Sequence, residues 1–298
     1  MKILLTALSC TVLGAAITAP VGAQSNIATA SSPLVAPNLP RILFESPSGG
    51  KSQLWIMDGD GNGARQLTNE AAGVSGAHWA ADGNSLFYSV TDGDLSTVYE
   101  LWPDSARQRR IGVFPGRAPH IAPGRAQVIY DVGPWTASHL VMTDINQRSS
   151  HQLTGDDLVV WMGVWSPDGK RIAYTARDKS GLAVWVMNAD GSNPHRVTHL
   201  TQQEGSAQMP AWSPDSQMLA FQANSLTSRG KATLWVIDLR TLGEREIIPH
   251  QSILLDETPS WFPGGTRVAF QSNRSGQMEI WSVNANGTDL RQLTGRTR

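Results

Sequence analysis

A repeating pattern of four short strands is the feature that most restricts how this chain can fold. The pattern is clearest from Trp161 to Thr198, where four apolar runs are separated by turn signals. Each run carries β-branched or aromatic residues with a period of two, which predicts strands. Pro167-Asp168-Gly169 and Asp190-Gly191 fall between runs, and glycine supplies the positive φ that tight hairpins require. The segment is predicted to be an antiparallel meander, whose strands we call a to d.

Six copies of this meander follow one another along the chain. The equivalent strand-c residues, spaced by 42 to 50 residues, are Trp55, Tyr99, Val141, Trp185, Trp235 and Trp281. The equivalent strand-a residues, called marker positions below, are Val35, Trp79, Ile121, Trp165, Trp212 and Trp261. Repeats of about 40–50 residues with four strands are typical of β-propeller blades. The predicted fold class is therefore all-β, a six-bladed β-propeller of four-stranded antiparallel blades spanning residues 34–298.

Tryptophan placement supports this prediction. Eight of the eleven tryptophans fall at the two repeat positions. Large rings at fixed places fill the wedges between neighbouring sheets, so we expect these eight to pack between blades rather than to form a ligand-binding stripe. The other three, Trp102, Trp135 and Trp161, lie off these positions.

The start of the chain is predicted to direct export. Residues 1–23 are a predicted signal peptide, and residues 24–33 a flexible arm. Lys2 precedes an apolar stretch, and Val21-Gly22-Ala23 is a small-residue cleavage site. The apolar stretch is too short for a stable transmembrane anchor, so no membrane insertion is expected. The only cysteine, Cys10, lies within this signal, so the exported fold needs no disulfide.

The balance of charge narrows the classes of partner. The chain has 24 Lys and Arg against 25 Asp and Glu, and the basic residues are scattered. Nucleic acid and anionic membranes are therefore not expected as partners.

No segment shows sustained helical periodicity, so helices should be absent or single turns. We expect a monomer whose ring is closed only by hydrophobic contact between blades one and six, each of them a complete blade. In the alternative, the arm adds an extra strand to blade six.

Several motifs within the repeat resemble a known family. They are WSPDGKRIAY at 165–174, WSPDSQMLAF at 212–221, VWVMNADG at 184–191, LWIMDGDG at 54–61, and RQLT at 65–68 and 291–294. Together they resemble the repeat of the TolB-type β-propellers, and the resemblance covers nearly the whole exported chain. The motif residues are turn and core residues, so they indicate the fold more strongly than any function.

This resemblance implies a six-bladed propeller of the bacterial envelope, located in the periplasm or secreted beyond it. TolB itself contacts outer-membrane lipoproteins and partner segments, so an envelope protein or lipoprotein segment is the implied partner. TolB carries an α/β domain before its propeller, whereas only a short arm precedes blade one here. The chain is thus expected to be a propeller-only relative. The repeat also resembles the propeller of prolyl-oligopeptidase-type peptidases, but the Gly-x-Ser-x-Gly motif of their hydrolase domain does not occur.

Two histidines are candidate metal ligands. His78 and His120 each stand directly before a marker position, in adjacent blades, on the strand expected to line the channel. Two imidazoles near a propeller axis are suited to a divalent metal, and some polysaccharide lyases with related propellers bind a metal in this channel. Such sites need three or more ligands, and no third histidine occurs at the equivalent position. We therefore expect no resident cofactor. Ordinary packing of the two rings is the alternative to a metal.

A second set of candidates should surround one mouth of the channel. The residues four before the marker positions are Ser75, Arg117, Trp161, Gln208 and Glu257, with Asp256 beside the last. Mixed charge around an off-repeat tryptophan is typical of a recognition surface, although a solvated rim has the same composition. Trp135 follows Gly133-Pro134 in a loop between strands b and c and is a further candidate contact.

These patterns favour an exported, non-catalytic scaffold that binds a protein segment at the channel mouth. The alternative, from another class, is a carbohydrate-active enzyme of the polysaccharide-lyase type that uses a channel metal at His78 and His120. No catalytic triad or phosphate-binding loop is recognisable in the sequence.

Overall fold

The structure is a computed structural model that describes residues 30–200, 205–224, 231–248 and 254–295. These residues form 24 strands in six sheets, and each sheet has four antiparallel strands in chain order. The predicted six-bladed, all-β propeller is confirmed, and the described residues contain no helix. Accordingly, no helix among them is long and apolar enough to cross a membrane.

Each blade takes its four strands from one continuous stretch of chain. Blade one has β1 (Ser31–Val35), β2 (Arg41–Ser48), β3 (Lys51–Asp58) and β4 (Arg65–Gln66). Blade two has β5 (Ser75–Trp79), β6 (Leu86–Asp92), β7 (Leu95–Trp102) and β8 (Arg107–Phe114). Blade three has β9 (Arg117–Ile121), β10 (Gln127–Val132), β11 (His139–Asp144) and β12 (Ser150–Gln152).

The second half of the ring repeats this arrangement. Blade four has β13 (Val159–Trp165), β14 (Arg171–Asp178), β15 (Gly181–Asn188) and β16 (His195–Arg196). Blade five has β17 (Ser206–Trp212), β18 (Met218–Asn224), β19 (Ala232–Asp238) and β20 (Gly243–Glu246). Blade six has β21 (Asp256–Trp261), β22 (Arg267–Ser272), β23 (Glu279–Asn284) and β24 (Arg291–Gln292).

The predicted signal peptide lies outside the described residues, as does the arm up to residue 29. Strand β1 begins at Ser31, so the last residues assigned to the arm belong to strand a of blade one. The first blade therefore starts three residues before the boundary expected at residue 34.

The hydrophobic core is divided into clusters that lie between neighbouring blades. In one of them, Ile129 and Leu140 of blade three pack with Ile172, Tyr174 and Met187 of blade four. Burying one such side chain contributes about 1.5–3 kcal/mol to folding. Because each blade exposes an apolar face to both neighbours, the core is complete only when the ring is closed.

The strand-a tryptophans pack between blades as the repeat predicts, and three of them also make a hydrogen bond. The indole N–H of Trp79 donates to the carbonyl of Leu34 at 2.8 Å. Trp212 donates likewise to Val164 at 3.2 Å, and Trp261 donates to Ala211 at 3.1 Å. In each case the acceptor directly precedes the marker position of the preceding blade. Each bond therefore joins two neighbouring inner strands.

Blades one and six meet through apolar packing and also through hydrogen bonds. Ile42 and Phe44 of blade one pack with Phe262, Ile280 and Leu293 of blade six. The N–H of Val35 donates to Ser260 Oγ at 2.9 Å, and that of Ser32 donates to Gln271 Oε1 at 2.9 Å. The N–H of Ala30 reaches the carbonyl of Met278 at 3.2 Å. The expectation that apolar contact alone seals the ring is therefore wrong.

Candidate functional site at the polar mouth

The first residues of the six inner strands surround one end of the channel, which we call the polar mouth. In every blade the register between strands a and b shifts within strand a, which marks a β-bulge; the residues directly before it are Ser31, Ser75, Arg117, Trp161, Gln208 and Glu257. The residue at the bulge has positive φ in all six blades: Ser32, Gly76, Ala118, Met162, Met209 and Thr258. Only one of these is glycine, and for the other residues this conformation costs about 1–3 kcal/mol each. A bulge bends the strand and re-aims its side chains, here those of the predicted rim residues.

Hydrogen bonds across the blade junctions help to offset this strain. The N–H of Met162 donates to Asp131 Oδ2 at 3.1 Å, and that of Met209 donates to Thr175 Oγ1 at 3.1 Å. The bond from Ser32 to Gln271 is the same contact at the ring closure. Each acceptor belongs to strand b of the preceding blade, so the bulges of blades one, four and five are each tied to the neighbouring blade.

The acceptors occupy a repeat position that the sequence interpretation did not identify. In each blade this residue lies opposite the strand-a residue that directly precedes the bulge: Glu45, Ser89, Asp131, Thr175, Gln222 and Gln271. A signal for it is present in the sequence, since each of these polar residues directly follows the Phe or Tyr of strand b. Five of the six are buried, and Glu45 is half-buried. A buried polar position repeated six times indicates a hydrogen-bonded layer beneath the mouth.

Arg117 and Trp135, predicted as separate contacts, lie together in the structure. The Arg117 guanidinium stacks on the Trp135 ring at 4.4 Å, and its Nη2 lies 3.4 Å from Ser138 Oγ. Trp135 remains 55% exposed, although it is a large aromatic side chain. Beside the pair is a cavity of about 360 Å³, whose lining includes Pro115, Pro134, Asp94, Arg117 and Asp131.

Asp131 is the most perturbed carboxyl group in this cavity. It is 2% exposed, and burial raises its pKa to about 7, an effect that the Met162 N–H and the nearby Arg117 charge only partly oppose. Among the described residues, neither Asp131 Oδ1 nor Arg117 Nε has a hydrogen-bond partner, although both atoms are buried. The residues that line the cavity therefore include one unpaired acceptor and one unpaired donor, both buried.

Glu257 and Asp256, adjacent in sequence, have different environments. Glu257 Oε2 accepts from Gln271 Nε2 at 2.8 Å, and Gln222 Nε2 lies 3.4 Å from Glu257 Oε1. Burial raises the pKa of Glu257, and the nearby Asp256 charge raises it further. Asp256 is itself buried in an ion pair with Arg274 at 2.6 Å. Asp256 therefore anchors blade six, whereas Glu257 is half-buried at the mouth.

Two further rim residues, Trp161 and Gln208, lie between these groups around the ring. Trp161 is half-buried, and the guanidinium of Arg177 lies 5.6 Å from the centre of its ring. Its indole N–H is buried without a partner among the described residues. Gln208 lies opposite Gln222, whose Oε1 is likewise buried and unpaired within the described part of the chain.

His78 and His120 lie at the other end of the channel and stack on each other, with ring centres 3.9 Å apart. His78 Nε2 accepts the Ile121 N–H at 2.9 Å, and its Nδ1 lies 3.2 Å from the Gly76 carbonyl. Burial lowers the pKa of His78 to about 4 and that of His120 well below its usual value. The bond from Ile121 requires a neutral His78 ring, and the two bonds engage both nitrogens of His78.

A resident metal does not fit these two histidines. A metal on either nitrogen of His78 would displace one of its present hydrogen bonds. No group of three His, Cys, Asp or Glu residues suited to a metal occurs in the described ranges. The rings instead line a cavity of about 430 Å³ that is otherwise formed largely by tryptophan, proline and alanine side chains.

Comparisons with known proteins connect this architecture to two kinds of relative. The chain is 25% identical over 81% of its length to dipeptidyl-peptidase 5 of Porphyromonas gingivalis, of which it spans 43%. It is 30% identical over 42% of its length to the Tol-Pal system protein TolB of Desulfosudis oleivorans, of which it spans 26%. The chain thus spans less than half the length of either relative.

Solved structures show the same fold. TolB from Acinetobacter baumannii has a TM-score of 0.67 at 17% identity, covering 90% of this chain and 64% of that one. An oligogalacturonate lyase in complex with manganese has a TM-score of 0.58 at 16% identity, covering 88% of this chain and 75% of the other. A family model of the TolB beta propeller domain matches residues 136–298, which is more than half of the sequence. The chain therefore belongs to the TolB β-propeller family.

Proposed function

We propose that this protein is a non-catalytic binding scaffold of the cell envelope, exported to the periplasm or beyond. It would hold a segment of an envelope protein or lipoprotein at the polar mouth. The observation that carries the proposal is the exposed Trp135 stacked on Arg117, beside a cavity with unpaired polar atoms. Tryptophan and arginine are the side chains most often responsible for binding energy at protein interfaces.

Unpaired polar atoms support the choice of this end of the channel. Five of them, all buried and without a partner in the described part of the chain, belong to mouth residues: Arg117 Nε, Asp131 Oδ1, Trp161 Nε1, Gln222 Oε1 and Thr258 Oγ1. Leaving a buried polar group unpaired costs about 1–3 kcal/mol. Water or a polar segment of a partner would relieve this cost. A polypeptide suits the site because it offers both donors and acceptors.

The arrangement of charge gives the mouth an orientation. Arg117 lies on blade three, whereas Glu257 lies on blade six, across the ring. A bound segment would therefore meet a positive charge on one side and an acidic group on the other, with Trp161 between them. Charges placed in this way contribute to orientation and rate of association more than to affinity, and the aromatic rings contribute buried area.

Capture from envelope extract, followed by affinity measurement with the purified partner, tests this function. We compare the wild-type protein with Trp135→Ala and with a Trp161→Ala/Glu257→Ala double variant. Leu290→Ala, a change of an exposed side chain on the outer part of blade six, is the matched control. We expect one captured protein whose affinity falls at least tenfold in both mouth variants and is unchanged in the control. Equal affinity for all four proteins would refute the assignment to the mouth.

The enzymatic alternative is tested on the same preparation. A lyase of the channel-metal type would retain about one divalent metal per chain, measurable by mass spectrometry, and would depolymerise an acidic polysaccharide. His78→Gln would then lose both metal and turnover. Metal at this ratio together with turnover would overturn the scaffold proposal. We expect neither, because the ring nitrogens of His78 are already engaged within the fold.

A further inference from the structure

The outer edge of blade two differs from that of every other blade. The outermost strands of the other five blades, β4, β12, β16, β20 and β24, contain two to four residues. Strand β8 contains eight residues. It pairs with β7 on its inner side, and no described strand pairs with its outer side. A long edge strand presents a row of backbone N–H and C=O groups on which another strand can assemble.

This edge is also the most basic short stretch of the described chain. Its first four residues, Arg107, Gln108, Arg109 and Arg110, are all exposed. Arg109 forms an ion pair with the buried Glu100 at 2.6 Å, whereas Arg107 and Arg110 have no ion-pair partner among the described residues. The expectation that basic residues are scattered is wrong at this strand.

Trp102, the off-repeat tryptophan of this blade, holds part of the basic surface in place. The guanidinium of Arg107 lies 4.5 Å from the centre of its ring, and that of Arg109 lies 5.8 Å away. Stacking fixes the plane of a guanidinium while leaving its N–H edge free to bind a carboxylate. Arg107, which is ordered in this way and has no ion-pair partner among the described residues, loses less conformational entropy on binding an acid.

We propose that the outer edge of β8 is a docking site for an extended acidic segment of a partner protein. The segment would pair with the backbone at Arg107–Arg110 as a fifth strand. Because side chains alternate along a strand, its carboxylates on one face would meet Arg107 and those on the other face would meet Arg110. Strand addition to an open edge is a common mode of peptide recognition, in which the backbone supplies affinity and the side chains supply specificity. The regular part of the edge ends before a bulge at Ile111, which limits the site to about one short strand. This inference does not depend on the polar mouth.

Binding of a synthetic peptide to the full chain tests the site. The probe is a decapeptide in which pairs of adjacent Glu residues alternate with pairs of Val or Thr, so that both faces of the added strand carry carboxylates. A second peptide of equal charge carries Pro at several of the Val or Thr positions, so that it cannot pair with a strand. We expect the first peptide to bind, to lose affinity as salt is raised, and to slow amide hydrogen exchange at residues 107–112. The proline peptide should bind at least tenfold more weakly.

Charge reversal on the protein provides the matching control. Arg107→Glu/Arg110→Glu should lower affinity for the acidic peptide at least tenfold, and it leaves the Arg109–Glu100 pair intact. Lys51→Glu/Lys170→Glu changes the net charge equally at exposed sites on other blades and should bind as wild type does. Absence of binding at millimolar peptide, equal affinity for both peptides, or equal effects of the two reversals would each overturn the proposal. So would occupation of the edge by another segment of this chain or by a second copy, detected as amide protection without peptide.

Discussion

Two junctions, one between blades four and five and the other between blades two and three, join their inner strands by different hydrogen bonds. Between blades four and five, the marker residue is Trp212, and its indole N–H donates to the Val164 carbonyl. Between blades two and three, the marker residue is Ile121, which has no side-chain donor. There the backbone N–H of Ile121 donates to the ring of His78 on the preceding blade. In both junctions the marker residue donates to the residue before the preceding marker, but the side chain that takes part belongs to the other blade: it is the donor at Trp212 and the acceptor at His78.

The ring closure shows the same exchange of side-chain and backbone roles. Its marker residue, Val35, also lacks a side-chain donor, and its N–H donates to Ser260 on the preceding blade. Both substitute acceptors directly precede the marker position of their own blade. At five of the six junctions the inner strands are thus tied together either by tryptophan or by a polar side chain one residue earlier. At the junction of blades three and four, Trp165 Nε1 has no hydrogen-bond partner among the described residues. Only the histidine version can be titrated near physiological pH.

The largest expected effect comes from removing the tryptophan form of the contact. Trp212→Ala should lower the free energy of unfolding by about 5 kcal/mol, because it leaves a cavity between blades and removes the stack with Arg171. Trp212→Phe keeps most of the ring but loses the hydrogen bond to Val164, so it should cost about 1–2 kcal/mol. Urea unfolding of both variants measures the difference. Equal losses would show that the hydrogen bond, rather than ring volume, dominates the junction.

Two neighbouring bulges at the polar mouth differ in the same way, because one backbone N–H is accepted by a titratable side chain and the other by a side chain that does not titrate. Asp131 accepts the bulge N–H of blade four, whereas Thr175 accepts that of blade five. The folded state raises the pKa of Asp131 from 3.8 to about 7, so it binds a proton more tightly than the unfolded chain does. The stabilisation by this proton is present at low pH and is lost as pH rises through about 7.

Asp131→Asn should abolish this pH dependence while keeping an oxygen acceptor for Met162. We expect the variant to match the wild type near pH 4 and to exceed its unfolding free energy by about 4 kcal/mol at pH 8. Urea unfolding across this range measures the effect, and Thr175→Val, which removes an acceptor but no titration, is the control. A constant difference between the Asn variant and the wild type at all pH values would contradict the assignment.

The histidine contact should respond to pH with the opposite sign. Burial lowers the pKa of His78 to about 4, whereas the unfolded chain has the usual value of about 6.5. Between these values the unfolded chain binds the extra proton, so stability is fully present above about 6.5 and falls as pH decreases toward 4. The loss expected for His78 alone is about 3 kcal/mol over this range.

The neighbours of His78 determine how this effect is isolated. His120 stacks on the same ring and has a lowered pKa of the same sign, and Arg125 lies over Phe87, which also contacts His78. We therefore compare the wild type with His78→Phe, in which His120 and Arg125 remain. The wild type should be more stable at pH 7, and the difference should narrow as pH falls toward 4. A difference independent of pH would show that His78 does not titrate with folding.

These contrasts also show which parts of the molecule follow from sequence and which do not. Blade number and strand order follow from the spacing of turns and tryptophans, because local period and turn chemistry determine them. The pairing of Arg117 with Trp135 does not, because it depends on how a loop folds back over an adjacent strand. The role of His78 was also beyond sequence reasoning, which identified its position but not the backbone N–H that it accepts. The polar residue after each strand-b aromatic is visible in the sequence, but the hydrogen bonds that it accepts are seen only in the structure.

The smallest expected effect concerns the ring closure, where the substitute acceptor is an uncharged hydroxyl. Ser260→Ala removes the acceptor of the Val35 N–H and should lower the free energy of unfolding by about 1 kcal/mol, independently of pH between 4 and 8. The bond from Ser32 to Gln271 and the apolar cluster remain, so the ring should stay closed. Urea unfolding gives the energy, and hydrogen exchange at residues 31–35 reports local opening. Ser260→Thr, which keeps the hydroxyl, is the matched control. The result could instead be a loss of unfolding free energy much larger than that of His78→Phe at pH 7. The ring closure would then depend on this one hydrogen bond more than the junction of blades two and three depends on His78, because the chain is not continuous between blades six and one.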